Sequence, residues 1–492
     1  MSTDALLQDL AAIVGDRFVL RQRAERLAYE SDGNPLFVGP PLCTVLPGDR
    51  DQAIAAVRAC VRHGVPFIPR GAGTGLSGGA TPVGGEVVVG MARCRRVLHV
   101  DRVGRFAVVE PGLVNADLSR HVAPIGLYYA PDPSSQYACT IGGNVAENSG
   151  GAHCLKYGVT TNHVLGLEVV LADGRVVELG GPAHDLDAGY DLTGLLVGSE
   201  GTMGLVTRAT VRLLPLPQGV RTVLALFDNV EAASAAVSSV IAAGLLPAAL
   251  EMMDRWAITA VERGAYHIGF PDDLAATLLI EVDGPAAGLD DEAEAILAIC
   301  RRAGVREVRT PSSPAERTLW WNNRKTAFGA MGKLAPSYYV QDGVIPRSRL
   351  SSVLGEVARI ADEYRLVVAN VFHAGDGNLH PLLAYDDRHQ GEAERVMAAG
   401  SQILKACVAA GGTISGEHGI GLEKREDMRL AFTEDDLAMM RATHDALDPR
   451  DLATPGKVLP LPGRCVEVGR AAWDPRAKLG EGVVVERDAD GR

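Results

Sequence analysis

The sequence has no C-x-x-C pair, and its eight cysteines stand apart at 43, 60, 94, 139, 154, 300, 407 and 465. That spacing supports neither a disulfide framework nor a zinc ribbon or iron–sulfur cluster, which all need grouped thiols. If electrons pass through this chain, their iron–sulfur or haem carriers must sit on another protein. Long basic runs are also missing and the net charge is −13, which argues against nucleic acid as a partner, because phosphate binding needs clustered Lys and Arg. No segment has the apolar length of a transmembrane helix. The opening "MSTDALLQDLAAIVGDRF" carries acidic residues inside its apolar stretch and no basic start, so it is expected to form an amphipathic helix and not a signal peptide. A cytoplasmic chain that does small-molecule chemistry is the expectation these absences leave.

What is present is a large apolar content and unusually chemical loops. At 492 residues, 47% of them hydrophobic, the chain exceeds one core and can fill two domains. Residues 1–37 are expected to be an N-terminal helical segment. From 38 to 217, short strands, helices and many glycines alternate, as in an α+β domain. There Asp51–His63 has helical spacing and stops at Gly64, and "VPFIP", "EVVVGM" and "RFAVVEPG" read as strands. "LEVVLADGRVVEL" reads as a hairpin closed by Asp173 and Gly174. Pro215 and Pro217 cannot continue a strand ladder and mark a boundary. In the second unit, 218–427, strand, helix and strand occur twice: "RTVLALF", Val230–Ala243 and "AALEMMD", then "TLLIEVDG", Glu292–Ala303 and "REVRT". This pattern predicts a ferredoxin-like sheet. A helical segment, 428–465, follows, and 466–492 has the charged, core-poor composition of a loose tail.

Three glycine-rich loops carry the first chemical signal. Pro69–Ala80, "PRGAGTGLSGGA", lets backbone N–H groups surround an anion without using charge. Gly73, Gly75 and Gly78 satisfy G-x-G-x-x-G, but the residues that follow, "TPVGGEVVVG", run into another strand and open no helix. The Rossmann reading is therefore rejected. Pro131–Gly151, "PDPSSQYACTIGGNVAENSGG", offers small residues, hydroxyls and the amides of Asn144 and Asn148, suited to a flat hydrogen-bonding heterocycle. "VGSEGTMGLVT", 197–207, repeats the theme. Three such loops in one domain point to one large phosphate-bearing ligand.

In the second unit, "HAGDGNLH" places His373 and His380 at either end of a glycine-rich octapeptide between two β-rich runs. With Asp376 and Gly377 at the centre of a tight turn, His373 faces His380 across the hairpin, with Cβ atoms roughly 5 Å apart. Such a pair suits a metal ion, an acid–base pair or a stacked surface pair.

Pro69–Ala80, the 131–151 loop and Gly198–Val206 together resemble the FAD domain of the vanillyl-alcohol oxidase and PCMH-type flavoprotein superfamily. "RKTAFGAMGKLAPSYYVQDGVIPR", "VFHAGDGNLHPLL" and "SGEHGIGLEKR" resemble, more narrowly, the FAD-linked subunit of bacterial glycolate oxidases, with D-lactate and D-2-hydroxyglutarate dehydrogenases as near relatives. The resemblance covers about residues 30–465. It implies an α+β fold: a PCMH-type FAD-binding domain, a ferredoxin-like substrate (cap) domain, and the 428–465 segment returning to complete the FAD site. FAD would be held at its pyrophosphate by Pro69, Arg70, Gly71, Ala72, Gly73, Thr74, Gly75 and Gly78. The ribityl, isoalloxazine and adenine parts would meet Pro131, Asp132, Ser134, Ser135, Thr140, Gly142, Gly143, Asn144, Asn148 and Gly150 of the second loop. Gly198, Glu200, Gly201, Gly204 and Val206 of the third would join them, with Lys457 beyond. At "TPGK" the family usually has Asn where this chain has Thr454. The resemblance further implies electron acceptors in a second FAD-domain subunit and an iron–sulfur subunit, and a cytoplasmic location or a peripheral one at the inner membrane through those partners.

The same resemblance sets Glu417 beside His373 and His380, and two His with one carboxylate leave open positions on an ion, as in a catalytic site. Zinc, manganese or ferrous iron would fit. A 2-hydroxy acid could chelate that ion through its hydroxyl and carboxylate, His418 could take the hydroxyl proton, and the C2 hydride would pass to flavin N5. Arg324 and Lys325 are expected to bind the substrate carboxylate, against the alternative of an ordinary solvated helix face. Tyr339 and Asp342 are expected in the same cleft. The expected reaction is glycolate to glyoxylate, with D-lactate or D-2-hydroxyglutarate as alternatives. A non-redox FAD transferase of the ether-lipid synthase type would need a phosphate site that the sequence lacks outside the FAD loops. An inactive electron-transfer subunit would have no use for His373, His380, Glu417 and His418 together.

Overall fold

The computed structural model of the chain describes residues 3–182 and 189–461. The tail expected at 466–492 lies outside the described residues. The opening helix, Thr3–Val14, buries Leu6, Leu10 and Val14, which recur every four residues and so share one face. That face packs on the helix Arg50–His63. Asp49 caps the second helix by accepting from Gln52 N at 2.9 Å, and Gly64 ends it in the left-handed conformation with φ 68°.

These helices cover a four-stranded sheet in the order Val19–Leu20, Cys43–Val45, Val87–Gly90, Phe67–Arg70. Phe67–Arg70 and Val87–Gly90 are parallel neighbours, and the loop between them holds no helix. The first glycine-rich segment is therefore no Rossmann turn. A five-stranded antiparallel sheet lies beside it, in the order Val97–Asp101, Phe106–Val109, Gly204–Arg212, Val164–Leu171, Val176–Gly180. Its last pair is the hairpin expected around Asp173 and Gly174, with Val170 opposite Val176.

Pro215 departs from expectation, because Leu214–Pro215 pairs with Leu127–Tyr128 in a two-residue ladder. A proline is tolerated there because the ladder has only two strands, so each is an edge with a side that needs no donor. The second lobe then begins with Gly219–Phe227. Glu307–Arg309, Gly219–Phe227, Ala276–Gly284 and Ala249–Asp254 lie side by side in that order. In chain order this is fourth, first, third, second, the ferredoxin-like arrangement, with Val230–Ala242 and Leu289–Arg302 packed into its core.

The sheet does not stop there. Ala249–Asp254 pairs onward with Val367–His373, which pairs with Asn378–Leu379 and Pro381–Tyr385. Those strands pair in turn with Gly343–Val344 and Ser337–Val340. The extension covers what would otherwise be an open edge, and it brings the histidine hairpin against the first lobe.

The chain finally runs through the helix Glu434–Leu447 and returns to the first lobe, where Ala453 forms a parallel bridge with Phe67. Thr454 N donates to Phe67 O at 2.8 Å, and the Thr454 hydroxyl donates to Gly201 O at 3.0 Å. Thr454 has φ 49°, a left-handed conformation that suits Asn better than a β-branched residue.

Candidate active site

One cavity joins the three glycine-rich loops to the histidine hairpin. Its lining includes Pro69, Arg70, Gly71, Ala72, Gly73, Thr74 and Gly75 from the first loop, Ser134, Ser135, Thr140, Gly142, Gly143 and Asn144 from the second, and Glu200, Gly201, Gly204 and Val206 from the third. At the other end it is lined by Arg324, Phe328, His373, His380, Glu417 and His418. The phosphate-type and ligand-type residues read separately in the sequence thus face one space.

The hairpin differs from the expected one by two residues. His373 pairs with Asn378, not His380, and Asn370 pairs with Pro381, so the turn is Ala374–Gly377 and His380 falls in register with Val371. A shift of two preserves side-chain parity, whereas a shift of one would have sent His380 to the opposite face. The two imidazoles still meet, with ring centroids 5.1 Å apart at 90°. Gly377 closes the turn with φ 84°, and a Cβ there would collide with Ile345 O.

Each histidine is fixed differently. His373 Nδ1 lies 2.8 Å from Glu251 Oε1, which leaves Nε2 directed at Glu417 Oε1, 3.2 Å away. His380 Nε2 is 3.0 Å from the same oxygen, yet neither ring nitrogen of His380 makes an aligned hydrogen bond. One ligand atom from each of His373, His380 and Glu417 lies within 4.8 Å of the others. A buried imidazole without an aligned hydrogen bond, gathered with a second one on a single carboxylate oxygen, fits a divalent ion. Burial would raise the Glu417 pKa, but the two histidines outweigh it and hold the carboxyl well below its usual range.

A second set, Asp342, His380 and His418, is equally compact, and Asp342 Oδ1, buried without a hydrogen-bond partner, lies 3.7 Å from His380 Nδ1; what counts against an ion there is that the carboxylate already has other partners. Asp342 is fully buried, and its Oδ2 already accepts from Gly416 N, Glu417 N and His418 N at 2.9, 3.1 and 2.9 Å and from the Ser415 hydroxyl at 2.7 Å. Lys424 Nζ stands 3.3 Å from that oxygen, so a cation is present already. Asp342 therefore braces the loop that carries Glu417 and His418 and, contrary to the sequence expectation, is not among the residues that line the cleft. Gly419 completes this loop at φ 86°, where a Cβ would collide with Glu147 Oε2. His418 stacks on His380 with centroids 4.8 Å apart. Burial pushes its pKa down to about 4, with Asp342 pulling the other way.

Arg324 and Lys325 separate. Arg324 is buried in the cavity wall, Nη2 is 2.5 Å from Glu251 Oε2, and Nε has no hydrogen-bond partner among the described residues. Lys325 points away from the cavity, with Nζ 3.4 Å from Asp132 Oδ2 and 5.6 Å from the Trp321 ring. Tyr339 is buried beside Glu423 and also lies outside the lining.

Several residues expected to touch the cofactor stand behind those that line the cavity. Asp132 meets His153 Nδ1 at 2.9 Å, and His153 Nε2 reaches Glu281 of the second lobe at 3.4 Å. Burial opposes charge on His153, but Asp132 overrides it and raises the imidazole pKa to about 10. Lys457 Nζ donates to Gly79 O at 2.6 Å, bracing the first loop from below. Asn148 accepts from Thr161 N at 2.8 Å, and Pro131 O accepts from Asn115 Nδ2 at 3.0 Å. Gly198 donates to Val145 O at 2.8 Å. Gly78 abuts Leu422 and Phe37, and Gly150 abuts Glu417 and Cys154.

The sequence reading passed over lining residues inside its own loops, namely Leu76, Gly79, Ala80, Pro133, Cys139, Ala146, Glu147 and Ser149, with Ser199 and Leu205 in the third. Met91, Pro111, Leu196 and Phe328 also line the cavity and carry no local signal. Glu251 had one: an acid with apolar neighbours on both sides in the strand "AALEMMD", where an unpartnered carboxylate would be costly.

The description "FAD binding domain" matches residues 41–180, and "FAD linked oxidases, C-terminal domain" matches 216–458. The glycolate oxidase subunit GlcD of Escherichia coli (strain K12) is 48% identical over 451 residues, 92% of this chain and 90% of that protein. A D-lactate dehydrogenase of Anaerostipes hadrus is 31% identical over 83% of this chain and 87% of its own length. Among solved structures, p-cresol methylhydroxylase superposes with a TM-score of 0.79 at 17% identity, over 94% of this chain and 98% of that one, a likeness of fold. The chain belongs to the family of FAD-linked oxidases and is an FAD-dependent oxidoreductase built on the PCMH-type fold.

Proposed function

We propose that this chain oxidises a small 2-hydroxy acid to the 2-oxo acid, glycolate to glyoxylate before all others, with residues 38–217 holding FAD and 218–427 holding substrate. The observation that carries the reading is the convergence of His373, His380, Glu417, His418 and Arg324 on the cavity that the FAD-type loops line. The 48% identity to a glycolate oxidase subunit supports glycolate; the D-lactate dehydrogenase, at 31%, supports D-lactate less. Arg70 and Arg324 are the Lys or Arg side chains of the lining. Arg70 is spent on the carbonyls of Ala28, Ser31 and Ala80 at 3.3, 2.8 and 3.1 Å. One cation for one substrate carboxylate fits a monocarboxylic acid better than 2-hydroxyglutarate.

Bound FAD supplies the two-electron acceptor for the hydride at C2. His373, His380 and Glu417 would hold a divalent ion, which would supply Lewis acidity that makes the substrate hydroxyl easier to deprotonate. Arg324 orients the carboxylate through donors left free of Glu251. His418 takes the hydroxyl proton, and its stack on His380 keeps the ring beside the ligands. Phe328, edge-on to His380 with centroids 5.9 Å apart, keeps water from this end of the cavity. Electrons then leave to a second FAD-domain subunit and an iron–sulfur subunit. The absence of C-x-x-C pairs in this chain and the designation of the E. coli relative as a subunit support that step. No helix among the described residues is long and apolar enough to cross a membrane, which is consistent with attachment through partners.

Glycolate is expected to bleach the flavin absorbance of the purified FAD-loaded protein under anaerobic conditions, faster than D-lactate does. An unchanged spectrum with every 2-hydroxy acid would rule the reaction out. Glu251→Gln tests the architecture separately. It loosens His373 and removes the anion facing Arg324, so metal affinity should fall roughly 10–100-fold, read by titrating metal-free protein with ZnCl2.

A further inference from the structure

Away from the cavity, at the C-terminal end of the helix Glu434–Leu447, His444, Asp448 and Asp451 each offer one ligand atom within 4.8 Å of the others. His444 and Asp448 are four residues apart, so both lie on one face of the last helical turn. Asp451 is carried back toward them by a turn in which its own N–H donates to Asp448 O at 3.2 Å, and it adopts φ 50°. His444 Nδ1 is 3.1 Å from Asp445 Oδ1, so the other nitrogen, Nε2, faces Asp451 Oδ1 at 4.0 Å. A carboxylate behind one imidazole nitrogen while the other faces further acids is how a metal-binding histidine is usually oriented.

The second observation is Asp448 itself. It is 1% exposed, its Oδ2 accepts from Ala453 N at 2.7 Å, and its Oδ1 is buried without any hydrogen-bond partner. A buried carboxylate oxygen so placed is costly unless something binds it. No Lys or Arg among the described residues forms an ion pair with Asp448 or Asp451. The nearby Arg441 and Arg450 donate to Pro460 O at 2.7 Å and Val61 O at 3.3 Å. Ligand bonds of about 2.1 Å require the three ligand atoms to draw closer together than the spacing here, which is within 4.8 Å. The Asp451 side chain, 60% exposed, is free to make that shift.

We propose that His444, Asp448 and Asp451 form a second divalent metal site, away from the cavity, with water completing the coordination. The ion would clamp the turn 448–454 that leads to Ala453 on Phe67 and to Lys457 under Gly79. It would therefore stabilise the floor of the first glycine-rich loop without touching substrate.

The test uses full-length, FAD-loaded protein carrying His373→Ala and His380→Ala, which removes the ligands of the cavity. After chelation and dialysis, calorimetric titration with ZnCl2 should show one ion per chain, and saturating zinc should raise the melting temperature. Adding Asp451→Asn, a change at an exposed side chain, should weaken zinc binding at least tenfold and abolish the thermal shift; His444→Ala should do the same. Absence of zinc binding in the cavity-blocked protein, or binding that survives Asp451→Asn unchanged, would overturn the proposal. Should His444→Ala fail to fold, the Asp451→Asn comparison decides alone.

Discussion

His373→Ala is expected to remove the cavity ion and the activity together while FAD stays bound. His373 Nε2 and His380 Nε2 flank one Glu417 oxygen at 3.2 and 3.0 Å, so deleting one imidazole leaves two ligands and two open sides. Without Lewis acidity at the hydroxyl, the alkoxide must form unaided, and kcat/KM for glycolate should fall by about 1,000-fold or more, about 4 kcal/mol of transition-state stabilisation. Metal analysis should show one ion per chain fewer than in the parent protein, while the flavin absorbance is retained because the glycine-rich loops do not depend on His373. A variant that keeps its full metal content, or loses metal with no change in turnover, would remove the ion from the mechanism.

His418→Ala should give the complementary result, with metal and FAD retained and the chemistry lost. His418 faces the same cavity, but its Nε2 is 4.0 Å from Glu417 Oε1, and it is not one of the three ligands proposed. Removing a general base costs roughly 100- to 10,000-fold in kcat, with KM little changed because Arg324 still holds the carboxylate. The outcome also separates the two compact ligand sets. If His418→Ala empties the site, the ion sits among Asp342, His380 and His418, and the base must be sought elsewhere.

The glycine-rich loops were legible because surrounding an anion with N–H groups is a property of contiguous backbone, and that is written in adjacent residues. Even so, which loop residues line the cavity and which brace it could not be read. Asp132 and Lys457 carry attractive side chains, yet one is held by His153 and Lys325 and the other by Gly79. Arg324 and Lys325 looked equivalent in sequence. On a helix, neighbours diverge by about 100°, and packing sent Arg324 to the cavity and Lys325 to Asp132.

By itself, the sequence determined the chemistry on offer and the parity of its display. "HAGDGNLH" puts two imidazoles on one face of a hairpin whether the turn holds two residues or four, because alternation in a strand repeats every second residue. The four-residue turn, with His373 opposite Asn378, was decided only by tertiary structure, since Gly377 must pass close under Ile345 and the strand must pair with Ala249–Asp254. That same pairing aligns Glu251 with His373 across 122 residues of chain, and the loop braced by Asp342 brings Glu417 between the histidines. No local pattern encodes such meetings: they depend on which sheet edges and loops the folded core brings together.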